Sequence, residues 1–416
     1  MSDGRRTRGL FQPFPRGDAS GRILLLVVTL LVAFGTVAVA SASEGQAAAN
    51  GGTSWSIIVH DLVYLMFGLF ALYTLARVRL DQLVRRAPVF MTTGLVLLVA
   101  VKAVGVSANG GKRWLNLHAI FLQPSELFKL CTVVFLAWLV EQHHRELNDW
   151  KQLALRTAPV SLGLLLIVIE PDIGTSSVVF AVAFAMLAIA GLSRTLLTRV
   201  LFVAVVAFGG YMLYKPYSAH RFFSFLHPNQ DLLGSGYQLW QSKIGLGAGG
   251  LTGLGLGHSR QKFGFLPNPH TDFIFTIIGE ELGFIGAMVV LGLFLWFLFV
   301  ATRITQQCPN GVYRLIAVGI TTWITLEALI NIASVVGGWA VTGIPLPFFS
   351  YGGTALITEL AAVGLLYNIA HDRTSSGGLV IPEHVAYVSR STPVRRPRPT
   401  TANRSSRVSR DTRRGY

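Results

Sequence analysis

Lys262–Gly283 reads KFGFLPNPHTDFIFTIIGEELG, and the fold turns on that stretch. A polar segment with Pro267 and Pro269 runs into His270-Thr271-Asp272, and a long apolar run starts at once with Phe273-Ile274-Phe275. An acid therefore sits where an aqueous loop meets a membrane helix. Two readings of Asp272 stand side by side. Asp ahead of an apolar helix is a favoured N-cap, because its carboxylate accepts free backbone N–H groups. A carboxylate at a lipid–water boundary, with basic residues nearby, also suits proton abstraction from a hydroxyl.

The rest of the chain supports the membrane reading. Hydrophobic residues make up 52% of the 416 positions and charged ones 13%, against about 25% charged in a soluble domain. A net charge of +15 raises the question of nucleic acid, but its location excludes that class. Residues 372–416 carry a net +7 and residues 1–22 a net +3, so most of the surplus lies in tails flanking membrane helices. That is the positive-inside pattern. Cys131 and Cys308 form neither a disulfide framework nor a metal motif.

Apolar runs of spanning length, roughly 20 residues, recur along the chain. The all-α reading has ten transmembrane spans: Ile23–Ala42, Ile57–Ala76, Pro88–Val106, a core at Leu127–Val140, Pro159–Ile169, Thr175–Gly191, Val200–Tyr214, Phe273–Ala301, Leu315–Val336 and Ala355–Ile369. A basic cytoplasmic tail (1–22) precedes this 23–371 membrane domain. A disordered basic cytoplasmic tail (372–416) follows it. A large extracytoplasmic loop, 215–272, separates spans seven and eight. Two outer loops break the charge rule, with Lys112 and Arg113 in one and Arg221, Lys243, Arg260 and Lys262 in the other. Basic residues on the wrong side suggest a task there.

Within 234–257, GSGYQLWQSKIGLGAGGLTGLGLG, the glycines lack the GKS/GKT ending of a phosphate loop. They fit close backbone approach to lipid or to neighbouring helices. Tyr237, Trp240 and Ile244 recur at the spacing of a short interfacial helix. His220, His227, His258 and His270 match no zinc spacing.

Ionisable residues in or at the ends of spans are functional candidates: Asp61, Lys102, Glu126, Lys129, Glu280, Glu281, Glu327 and Glu359. Glu126 and Lys129, three apart, suit a structural ion pair. Glu280 and Glu281 project about 100° apart, and Lys102 is a candidate partner for either. Pro345 and Pro347 break TGIPLPFFSYGG (342–353). That segment either covers the bundle as a rigid loop or lines the cavity of Asp272, with Ser350 among its polar groups.

At these motifs the chain resembles the SEDS family. The matching pieces are NGGKRWLNL (109–117), QPSELFKL (123–130), EPDIGTS (170–176), 234–257, FLPNPHTDFIFTIIGEELG (265–283) and TGIPLPFFSYGG, in family order across most of the membrane region. Two places depart from the family pattern, Val335–Ala340 and Asn268-Pro269. The first span's Val39–Ser43 ending and the long basic C-terminal tail lean toward the family's division branch rather than its elongation branch.

The resemblance implies ten helices and a peptidoglycan glycosyltransferase acting on lipid II at the outer face of the bacterial cytoplasmic membrane, at the septum. A class B penicillin-binding protein and other divisome proteins would be its partners. The family's essential carboxylate falls on Asp272. It would act as general base on the acceptor hydroxyl while cations steady the departing pyrophosphate. Lys112, Arg113, Arg221, Lys243 and Lys262 are candidates, Arg221 and Lys262 first, with Lys102, Glu280, Glu281 and Ser350 in support. A divalent cation would suit the leaving group, but no ligand cluster demands one. A lipid flippase and a silent divisome scaffold are the competing classes.

Overall fold

The structure is a computed structural model and describes residues 19–49, 54–108, 111–116, 121–215 and 235–371. Arg221, His220, His227, residues 1–18 and the C-terminal tail lie outside the described residues.

Each of the ten apolar segments is helical. In chain order the elements begin with α1 (Ala19–Ala49), α2 (Ser54–Leu75), α3 (Leu80–Arg85) and α4 (Ala87–Val104). A small antiparallel sheet follows, β1 (Val106–Ala108), β2 (Gly111–Asn116) and β3 (Phe121–Leu122), in the order β1-β2-β3. Then come α5 (Pro124–His143), α6 (Trp150–Arg156), α7 (Ala158–Ile169), α8 (Ile173–Ile189) and α9 (Arg194–Tyr214). The last are α10 (Ser235–Ala248), α11 (Ile274–Gln307), α12 (Gly311–Val336) and α13 (Thr354–His371).

Helices are the form an apolar segment must take in lipid, because each backbone group is then satisfied within the segment. Local signals set their ends. Proline stands in the first turn of α4, α5 and α7, where a missing N–H costs nothing. Asn310 caps α12 by accepting from Val312 N at 2.9 Å, and Gly337 ends it in the left-handed region with φ +87°.

Seven helices are long and apolar enough to cross a membrane, or eight if the bent α6–α7 pair counts as one. The ten-span reading adds α5, which carries Glu126 and Lys129, and α8, whose 17 residues extend about 26 Å. Burial ranks the helices. The apolar window of α13 is 83% buried and that of α12 67%, against 11% for α9. The bundle is thus built around α12 and α13, with α9 at its periphery.

Two features depart from the sequence reading. The segment after Ala42, beyond the end of the first apolar run, continues α1 to Ala49 and carries Glu44. The loop that carries Lys112 and Arg113 holds the three-stranded sheet, which ends at Leu122 just before α5.

The glycine-rich segment makes the close backbone approach anticipated for it. α11 is kinked at Gly283, whose φ is +67°. The chain at 250–255 runs alongside that break. Leu254 N donates to Glu280 O at 3.0 Å and Gly255 N to Glu281 O at 2.9 Å, while Phe284 N donates to Gly250 O at 2.9 Å. Backbone groups on both sides of the kink are therefore satisfied by another segment. A Cβ on Gly253 would fall 2.1 Å from Glu281 O, and one on Gly249 1.9 Å from Gly279 O, so no side chain fits at either position. α10 lies with Leu239 and Ser242 inward and Trp240 and Ile244 exposed, as a short interfacial helix should.

Candidate active site

Asp272 is half-buried and lies one residue before the N-cap of α11, which is Phe273 with no side-chain cap bond. The cap reading of Asp272 is corrected by this geometry. The reason is tertiary. The carbonyls of three successive residues are bonded to other segments: His270 O accepts from Tyr351 N at 2.9 Å, Thr271 O from Ser350 Oγ at 2.6 Å, and Asp272 O from Asn331 Nδ2 at 2.9 Å. These bonds hold residues 270–272 in a turn, and the helix begins only at Ile274.

The proline-broken segment lines this acid. Ser350 Oγ also accepts from Leu346 N at 2.8 Å, which locks the turn that presents it. A Cβ on Gly343, φ +76°, would lie 3.6 Å from Asp272 Oδ2. Glycine at 343 both permits the backbone turn and leaves room beside the carboxylate. Beneath the turn, Glu359 Oε2 accepts from Phe348 N at 2.8 Å and so fixes Phe348 at φ +64°. His270 is buried against the Tyr351 ring, centroids 5.7 Å apart. Burial pushes the His270 imidazole down to about 4, so near neutral pH it supplies no positive charge.

A second polar group abuts the same segment. Gly174, at the start of α8, packs on it, since a Cβ there would lie 3.0 Å from Thr342 O. Asp172 caps α8 by accepting from Thr175 N at 3.1 Å. Arg113 reaches over from β2, donating through Nε to Glu170 O at 3.0 Å and through Nη2 to Pro171 O at 2.6 Å. Lys102 Nζ donates to Ile169 O at 3.2 Å. Its assignment as a partner of Glu280 or Glu281 is therefore corrected: it serves the α7–α8 turn. Glu170, in that turn, is 1% exposed, and burial pushes its carboxyl up to about 8.

Lys262 is placed differently from the other cations. It is buried, and its Nζ meets Glu44 Oε2 at 2.8 Å, Glu281 Oε1 at 3.3 Å and Gly257 O at 2.8 Å. Ser41 Oγ donates to Glu281 Oε1 at 2.7 Å. Glu280 accepts from Ser259 Oγ, from Arg260 N at 3.0 Å and from Gln261 N at 3.2 Å. Glu280 and Glu281 thus hold the 257–262 loop onto α11 and, through Lys262, onto α1. Lys112 and Lys243 are exposed, and Lys243 passes close to Gly337 at the end of α12.

In the core below, Lys129 Nζ bridges Glu126 Oε2 at 2.6 Å and Glu327 Oε1 at 2.5 Å, all three buried. The anticipated Glu126–Lys129 pair within α5 is present and extends to a second helix, α12. No group of three or more His, Cys, Asp or Glu among the described residues is placed to hold a metal ion. The sequence reading missed Asn331, Ser41, Glu44 and Ser259. Only Asn331, an amide inside the apolar α12, carried a signal that could have drawn attention.

Known proteins resemble this chain over most of its length. The profile of the family FTSW_RODA_SPOVE, described as cell cycle protein, matches residues 21–375. Stage V sporulation protein E of Bacillus subtilis (strain 168) is 35% identical over 351 residues, covering 84% of this chain and 96% of that protein. A probable peptidoglycan glycosyltransferase FtsW of Methylococcus capsulatus is 37% identical over 380 residues, covering 89% and 95%. Among solved structures, a chain described under structural coordination of polymerization and crosslinking by a peptidoglycan synthase complex superposes with TM-score 0.71 at 30% identity, covering 85% of this chain and 98% of that one. The rod shape determining protein RodA of Thermus thermophilus superposes with TM-score 0.62 at 27% identity, covering 84% and 96%.

Proposed function

The chain belongs to the FtsW/RodA/SpoVE family of cell cycle proteins, the SEDS family of its sequence motifs, and from that premise we propose that it is a peptidoglycan glycosyltransferase of the FtsW type. It is an integral membrane protein that polymerises lipid II into β-1,4-linked glycan during septal cell-wall synthesis. The observation that carries the catalytic part is the placement of Asp272. This half-buried carboxylate stands at the mouth of α11, with its backbone clamped on three successive carbonyls and Gly343 leaving space beside it.

In the reaction, Asp272 removes the proton of the acceptor sugar's 4-hydroxyl. The oxygen attacks C1 of the donor, the C1–O bond to the undecaprenyl pyrophosphate breaks, and the pyrophosphate leaves with the electron pair. One displacement inverts the anomeric centre. Charge developing on the leaving group calls for cations. Arg113, Lys112 and Lys243 are the described candidates, and Arg221 is a further one. Ser350 and Lys102 support the loops on either side. Lys262 is spent on Glu281 and Glu44, and its role is to hold the loop.

The outer-face orientation, with both termini cytoplasmic, follows from the charge distribution. A class B penicillin-binding protein fits as the cross-linking partner, since the neighbouring solved structure is a peptidoglycan synthase complex. The test is purified protein, with and without that partner, given labelled lipid II in liposomes. Glycan polymer is the expected product. Translocation of lipid II without polymer, independent of the partner, would overturn the assignment in favour of a flippase.

A further inference from the structure

Asn331 sits inside α12, 1% exposed, in a helix that is otherwise mostly apolar at this depth. Its Nδ2 donates to two carbonyls at once, Asp272 O at 2.9 Å and Ile344 O at 2.8 Å. An amide nitrogen has two hydrogens and no acceptor capacity, so this pair of acceptors consumes both and fixes which way the amide faces. The amide oxygen is then left buried, with no hydrogen-bond partner among the described residues. A buried acceptor without a partner is an unfavourable feature that calls for a reason. The two bonds supply one. They join the two segments that flank the acid, the turn that enters α11 and the loop carrying Gly343, to one point on the central helix.

We propose that Asn331 is a positioning residue for the reaction, a strap that sets the Asp272 carboxylate against the 342–353 turn. This rests on the reading of Asp272 as general base. The two preceding residues are tied as well, Thr271 by Ser350 and His270 by Tyr351. Asn331 is the side chain whose bond to Asp272's own backbone is seen. It also bonds the residue next to Gly343, so it controls the distance between acid and turn from both sides. No other residue type of this length supplies two donors here. Aspartate presents two acceptors to two acceptors, and alanine leaves both carbonyls bare.

The experiment uses full-length protein with its cross-linking partner and labelled lipid II, comparing wild type, Asn331→Ala, Asn331→Asp and Ser334→Ala. Ser334 is buried on the same helix, and its Oγ donates within that helix, to Asn331 O at 2.8 Å. For both Asn331 variants kcat is expected to fall about 100-fold, with KM within about two-fold of wild type. Ser334→Ala keeps wild-type kcat. Hydrogen exchange at 270–274 and 344–351 is expected to quicken in Asn331→Ala while the Lys129 region stays protected. Unchanged kcat and unchanged exchange in Asn331→Ala overturn the proposal. So does faster exchange throughout the bundle, which marks a general packing role. If Asp272→Ala polymerises at the wild-type rate, the base reading fails, and the exchange data still decide whether the strap exists.

Discussion

Lys262 offers the sharpest contrast between a residue that binds substrate and one that holds the fold. Its side chain is 0% exposed and bridges Glu281, 3% exposed, and Glu44, 50% exposed. Lys262→Met keeps the length and removes the charge. The Glu44 share is small, because an exposed pair is worth about 0–1 kcal/mol. The Glu281 share is large: breaking a buried pair leaves an uncompensated charge and costs about 3–5 kcal/mol. Ser41 Oγ and Ser259 N still donate to Glu281 at 2.7 and 3.3 Å, which places the cost toward the lower end, about 3 kcal/mol. Adding Glu281→Gln removes the stranded charge and should recover more than half of that loss, since residues in one network couple. The assay is thermal unfolding in detergent, with lipid II kinetics in parallel. If Lys262→Met instead unfolds like wild type while KM for lipid II rises, the ammonium meets pyrophosphate rather than holding the loop.

Two further predictions concern the loops around the site. Gly253→Ala should cost more stability than Gly257→Ala. Both residues have positive φ, +82° and +81°, but only Gly253 has a carbonyl 2.1 Å from the added methyl. Gly257→Ala carries the backbone penalty of about 1–2 kcal/mol, and Gly253→Ala adds overpacking of about 1–3 kcal/mol; equal losses in thermal unfolding would sink the close-approach argument. His270 contributes a pH dependence of known sign. Its folded-state value of about 4 lies below the ordinary 6.5, so the unfolded chain takes up a proton first as pH falls. Stability from this site is complete above pH 6.5 and is lost between 6.5 and 4. His270→Asn should flatten unfolding midpoints across that window, and an unchanged slope contradicts the assignment.

How much was legible in the sequence depended on range. Helix positions followed from apolar runs, and the Glu126–Lys129 pair from a three-residue spacing, because both are local. The glycine cluster announced close packing, although its partner, the kink at Gly283, lies beyond any periodicity. Partners brought together by the fold were not legible. On sequence Lys102 is a candidate partner for either Glu280 or Glu281, yet it meets the α7–α8 turn. Lys262 pairs with Glu44 across 218 positions of chain. The cap position of Asp272 failed for the same reason, since three bonds from distant residues override the local preference. The extension of α1 to Ala49 had no breaker to contradict it, but its small polar residues resemble a loop.

Catalysis at this site rests on the Asp272 carboxylate taking the acceptor's proton. The direct measurement is the single-turnover rate of lipid II polymerisation by Asp272→Asn with its partner present, under conditions where folding and partner binding match wild type. General-base catalysis contributes about 10²–10⁴-fold, so a fall of that size with lipid II binding retained is the expected result. A rate within a few-fold of wild type would move the base to another residue.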